Sequence, residues 1–84
     1  MKDERLVKVV RKNALVYVVS DESESIGNLK VRACQALHVG DSGNAFVVRS
    51  GLVLDEKASL LDVGLGQDLS DKVDLVLRNE LGKN

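Results

Sequence analysis

Residues 71–84 read DKVDLVLRNELGKN. Val73, Leu75 and Leu77 alternate with Lys72, Asp74 and Val76, the period of two expected of a strand with one face on a core. Residues 79–84 then show no periodicity. For the sheet to close, this strand is expected to meet strands from the start of the chain and so to lie centrally. Its C-terminal end must point out of the fold. The sequence divides accordingly into a domain over residues 1–78 and a flexible tail over 79–84.

Working back from that strand, Leu60, Leu61 and Leu65 in SLLDVGL suggest a short helical turn plugging the core. Gly64 and Gly66 mark a break after it. Phe46 to Arg49 reads as a strand, Ser50-Gly51 as a tight turn and Leu52 to Leu54 as a short return strand. Upstream the period lengthens. Ile26, Leu29, Ala33 and Leu37 form an apolar stripe at helical spacing, with Cys34 and Ala36 flanking it and Val31 and Gln35 opposite. The acids and serines of Asp21-Glu22-Ser23-Glu24-Ser25 offer N-caps and favourable charge for a helix start. His38 falls in the last turn and Gly40 at a C-terminal stop, which gives a helix from about Glu24 to His38. At the N-terminus, ERLVKVVRKNALVYVV reads as a hairpin, with Asn13 able to take a left-handed turn conformation. The order is β-β-α-β-β-(short helix)-β. One helix on a mixed sheet of four or five strands is an α+β two-layer domain.

Composition narrows the function. The chain has 84 residues, 12 Lys+Arg against 13 Asp+Glu and a formal net charge of −1, so it lacks the basic footprint of a nucleic-acid or anionic-membrane binder. The core must be aliphatic, because Tyr17 and Phe46 are the only aromatic residues. That leaves no platform for stacking bases. No apolar run approaches a membrane span. The N-terminal stretch MKDERLVKVV lacks a signal-length apolar segment, and the single Cys34 suits a reducing compartment, so a cytoplasmic location is expected. His38 has no second ligand or acid near it in the pattern, and its helix-end position already accounts for it. Cys34 reads as a small core-edge hydrophobe, and Asp21-Glu22-Ser23-Glu24 as a solvated helix start. Gly64-Leu65-Gly66 is not followed by the Lys-Ser/Thr of a phosphate loop. No acid/base pair, metal set or cofactor motif emerges, which argues against an enzyme.

The element order resembles the ubiquitin-like β-grasp family. Ser25-Ile26-Gly27-Asn28-Leu29-Lys30 is similar to the start of ubiquitin's helix. Val47-Val48-Arg49-Ser50-Gly51-Leu52-Val53-Leu54-Asp55 resembles its third strand, turn and fourth strand. Ser59-Leu60-Leu61-Asp62-Val63-Gly64-Leu65 looks like its short helix, and Leu75-Val76-Leu77-Arg78 matches the end of its last strand. The likeness runs from about Arg5 to Gly82. Three departures stand out: a shorter first hairpin turn, about two extra residues within 67–71, and no terminal Gly-Gly.

The resemblance implies a fold, a tail chemistry and a binding surface. In the family the terminal carboxylate of the arm is activated and joined to a target amine. Glycine suits an arm that threads a narrow channel, where side chains would clash. Counted from Arg78, the family's terminal glycine falls on Gly82 and its penultimate glycine on Leu81, leaving Lys83-Asn84 as an extension to be removed. Val48 and Val76 are expected side by side on the sheet face away from the helix, extended by Phe46, Leu52 and Leu77. Grouped exposed aliphatic residues of this kind mark a partner site. Three readings follow: a protein modifier matured at Gly82 by partner enzymes, a non-conjugated adaptor or small subunit of an assembly, and, fitting less well, a sulfur carrier. All three require protein partners and no cofactor.

Overall fold

Two eight-residue strands, β1 (Glu4–Arg11) and β2 (Ala14–Asp21), pair antiparallel with Arg11 opposite Ala14 and Glu4 opposite Asp21. The computed structural model describes residues 4–66 and 71–80. Only Lys12 and Asn13 make the turn. Lys12 takes the left-handed conformation at φ 53, not Asn13 as the sequence suggests. A two-residue connection fixes the register, which puts Val7, Val9 and Val18 inward.

The helix α1 spans Ile26–Ala36. Ser25 is its N-cap, and its hydroxyl accepts from the Asn28 amide at 3.2 Å. The helix is shorter than the periodicity suggests at both ends. Glu24 precedes the cap. At the other end Leu37 is the C-cap and His38, at φ 59, takes the left-handed position usually given to glycine. The His38 amide donates to Gln35 O and the Val39 amide to Cys34 O, the paired bonds of a Schellman motif. Gly40 therefore lies beyond the stop. Ile26, Leu29, Ala33 and Cys34 are buried as the stripe requires. Lys30 is buried beside them, with its Nζ donating to Glu56 Oε2 at 2.8 Å.

The strand β3 (Ala45–Arg49) turns through Ser50 and Gly51, both at positive φ, into the two-residue β4 (Leu52–Val53). Arg49 faces Leu52 and Val48 faces Val53. The short α2 (Leu60–Val63) has a full capping box between Ser59 and Asp62, and Gly64 closes it at φ 71. Leu60 and Leu65 are buried as expected, but Leu61 projects outward and is 52% exposed.

The closing strand β5 (Lys72–Leu77) runs parallel to β1 and antiparallel to β3. The sheet order is β2-β1-β5-β3-β4, which places the last strand at the centre. One face of the sheet carries Val7, Val9, Val47, Val73 and Leu75 against α1 and α2. Nothing else in the described residues covers the opposite face, and the candidate site lies there.

Candidate functional site

Alternation builds the open face. On β3, Ala45 and Val47 are buried, so Phe46 and Val48 point the other way. On β5, Val73 and Leu75 are buried, which leaves Asp74 and Val76 outward. The register sets Phe46 directly opposite Val76 and Val48 opposite Asp74. Val48 and Val76 are thus diagonal neighbours, not the side-by-side pair expected from sequence. Both line a shallow groove of about 390 Å³ with Val10 of β1, rimmed by Arg11, Lys12 and Glu80.

Two expected members do not share this face. Leu77 pairs with the fully buried Ala45 and packs against the core. Leu52 pairs with Arg49, whose parity is that of Val47, and is 71% exposed. The cause is the two-residue Ser50-Gly51 turn. It sets 49 opposite 52, so Val53 is the β4 residue that joins Val48, because a one-residue offset in a strand exchanges faces. Val10 and Val53 are therefore members that the sequence reading missed. The available signal was the Val9-Val10 and Val47-Val48 doublets, in which one residue of each pair must face outward.

The face continues across β1 and β2. Leu6 pairs with Val19, Lys8 with Tyr17 and Val10 with Leu15, all on this side. Leu6, Leu15, Tyr17 and Val19 are exposed. Lys8, Lys72 and Asp74 cross the middle, with Lys72 Nζ 3.6 Å from Asp74 Oδ1. The result is a broad aliphatic surface with a narrow charged bar, suited to another protein's apolar side chains.

The chain leaves this face through a 3₁₀ turn, Arg78–Glu80. Residues 79 and 80 of the expected tail are thus part of ordered structure, held on two sides. Arg78 Nε donates to Asn44 Oδ1 at 3.1 Å, and its guanidinium lies 5.2 Å from the centre of the Phe46 ring. Glu80 accepts from Arg11 Nη1 at 2.8 Å, Arg11 Nη2 at 3.3 Å and the Leu77 amide at 2.8 Å. Lys12 Nζ adds a contact at 3.4 Å. The Arg11 hydrogen bond, the Leu77 amide and Lys12 together hold the Glu80 carboxyl down at about 2, and the same pairing raises Arg11. Leu81 and Gly82, the tail positions on which conjugation would depend, lie outside the described residues.

The other singled-out residues have structural places. Cys34 is buried, and burial pushes its thiol up, away from the reactive thiolate. His38 is exposed and serves as the helix stop. The acidic run is tied into ion pairs: Glu22 with Arg5 at 2.7 Å and Glu24 with Arg32 at 3.1 Å. Among the described residues no three His, Cys, Asp or Glu side chains are grouped to hold a metal, and no helix is long and apolar enough to cross a membrane.

No protein-family model matches the chain, and no curated protein matches it in sequence. Solved structures do. The N-terminal ubiquitin-like domain of the 4931431F19Rik protein superimposes with a TM-score of 0.77 at 17% identity, covering 100% of this chain and 84% of that one. Caldiarchaeum subterraneum ubiquitin gives a TM-score of 0.77 at 15% identity, over 90% of this chain and 95% of that one. ATBAG1, solved in complex with HSP70, gives 0.76 at 16% identity, with 87% of this chain matching 40% of that one. Identities this low speak to architecture alone. Together with the central β5, the single grasped helix and the sheet order, they establish that the chain has the ubiquitin-like β-grasp fold.

Proposed function

We propose that the protein acts through protein–protein contact at the open face of its sheet, as a ubiquitin-like modifier whose C-terminal segment is matured at Gly82 and conjugated by partner enzymes. The observation that carries the contact surface is the groove floored by Val10, Val48 and Val76, which no described element covers. Half-buried aliphatic side chains on a central sheet face lose solvation only when a partner covers them, which gives such a surface its binding energy. The conjugation reading is supported by the offset of Gly82 from Leu75-Val76-Leu77-Arg78.

A second reading is a non-conjugated adaptor or subunit that uses the same face. Leu81, in place of a penultimate glycine, favours it. So does ATBAG1 among the structural neighbours, a chain solved in complex with HSP70.

One variant tests the shared face and a second separates the readings. Val48→Asp places a charge on the groove floor without touching the core. It should abolish capture of partners from the host extract while leaving the circular dichroism spectrum unchanged; undiminished capture would remove the face from the account. Deleting residues 81–84 spares Glu80 and its bonds. Loss of covalent adducts with retained binding supports the modifier. A host extract in which the intact chain forms no adducts and keeps Lys83-Asn84 by mass spectrometry leaves the adaptor.

A further inference from the structure

The Arg11–Glu80 contact joins two parts of the chain 69 residues apart, the end of β1 and the segment that follows β5. We propose that it is a latch that holds the turn Arg78–Glu80 closed against the first hairpin, and that its release frees Asn79 and Glu80 while Arg78 stays on Asn44 and Phe46. The inference stands apart from conjugation, because it concerns where the segment is held and not what becomes of its end.

Three features argue for a latch. The contact is bidentate: Arg11 Nη1 donates to Glu80 Oε1 and Nη2 to Oε2, the geometry that gives Arg–carboxylate pairs their directionality. Arg11 is preset for it, since its Nη1 also donates to Leu75 O at 3.3 Å and its side chain is only 15% exposed. Glu80 closes the turn from the other side by accepting from the Leu77 amide, the last backbone donor of β5. A carboxylate at position 80 thus both ends the strand and ties the exiting chain to the hairpin.

The latch also touches the binding face. Glu80, Arg11 and Lys12 rim the groove floored by Val10, Val48 and Val76. When Glu80 leaves, Arg11 and Lys12 lose their paired carboxylate at the rim of a groove that Val10, Val48 and Val76 share with Asp74. A partner that brings a carboxylate next to its own apolar side chains can replace Glu80 there. Docking on the face and release of the C-terminal segment then become one coupled event, since Arg11 cannot serve both carboxylates.

The test uses the full chain and two readouts at the root. In the wild type, amide order parameters of residues 79 and 80 should match those of β5, about 0.85, and in Glu80→Ala they should fall below about 0.6. Trypsin cleavage after Arg78, followed by mass, should accelerate at least about tenfold in the same variant, since cleavage tracks the opened population. Order parameters of Lys72–Leu77 should not change. Arg11→Ala, which leaves the bond from the Leu77 amide to Glu80 in place, should lose the protection as well if the ion pair is the latch. Unaltered order and cleavage in Glu80→Ala would overturn the proposal. So would loss of order throughout β5, which would make Glu80 a general support of the strand. Full protection in Arg11→Ala would equally overturn it.

Discussion

Gly66 offers a quantitative test of the packing on the helix side of the sheet. Its φ is +80°, and a Cβ there would lie 2.7 Å from Arg5 Cβ, 3.1 Å from Cδ and 3.3 Å from Cγ. Arg5 cannot give way easily. Its Cβ is fixed by the β1 backbone, and its guanidinium donates to Leu65 O at 3.1 Å and to Glu22 at 2.7 Å. Gly66→Ala therefore carries two costs: about 1–2 kcal/mol for a left-handed alanine and about 1–3 kcal/mol for overpacking against a held side chain. Two other glycines isolate the first cost. Gly51 has φ +82° with nothing within 4 Å of a Cβ, and Gly64 has φ +71° with only Arg49 Nη1 at 3.9 Å. Alanine at either should cost the backbone share alone. By urea denaturation with an unchanged m value, Gly66→Ala should lose about 2–5 kcal/mol in total. In a domain of this size each kcal/mol lowers Tm by about 4–8 °C, so Gly66→Ala should melt well below Gly51→Ala. If the two variants melt together, Arg5 is not packed against Gly66 and the reasoning fails.

Neighbouring leucines of α2 should behave oppositely. Leu60 is fully buried and Leu61 half exposed, so Leu60→Ala should cost about 2–5 kcal/mol and Leu61→Ala at most about 0.5, both read from urea midpoints. Equal losses would mean that α2 is rotated from the orientation described. The Glu80 latch makes a pH prediction with a definite sign. Its folded-state carboxyl is depressed from 4.5 to about 2, so its contribution is fully present at neutral pH and fades as pH falls through that window. The stability difference between wild type and Glu80→Gln should shrink over the same range. A difference that stays constant down to about pH 2 would mean that the carboxylate charge plays no part.

The interaction surface has a simple physical origin. The sheet needs only one face for its core, and the doublets Val9-Val10, Val18-Val19 and Val47-Val48 supply apolar side chains to both. A monomer gains nothing by placing Leu6, Leu15, Tyr17 and Val19 outward together. Such a patch persists because a protein partner covers it or because β-propensity tolerates it. The Val48→Asp experiment distinguishes these for the β3–β5 half of the face.

The amino-acid sequence alone determined the element order, the helix stripe of Ile26, Leu29 and Ala33, and the inward set of Val73 and Leu75 on the closing strand. These follow from periodicity, which depends on residues close together in the chain. The turn at Ser50-Gly51 is likewise local and was legible, whereas the run of cap candidates over 21–25 did not single out Ser25. Tertiary structure alone decided the rest. Lys30 is buried only because Glu56 reaches it from a distant loop, which no stripe records. His38 ends the helix in a glycine-like conformation because Val39 packs on the core and completes the Schellman bonds, so Gly40 was the wrong stop. The face of Leu52 and Val53 depended on an exact register between strands, and a shift of one residue moves a side chain through the sheet, whereas Leu77 simply keeps the alternation of Val73 and Leu75. The fastening of Glu80 to Arg11 joins the two ends of the chain, and only the parallel pairing of β1 with β5 brings them together.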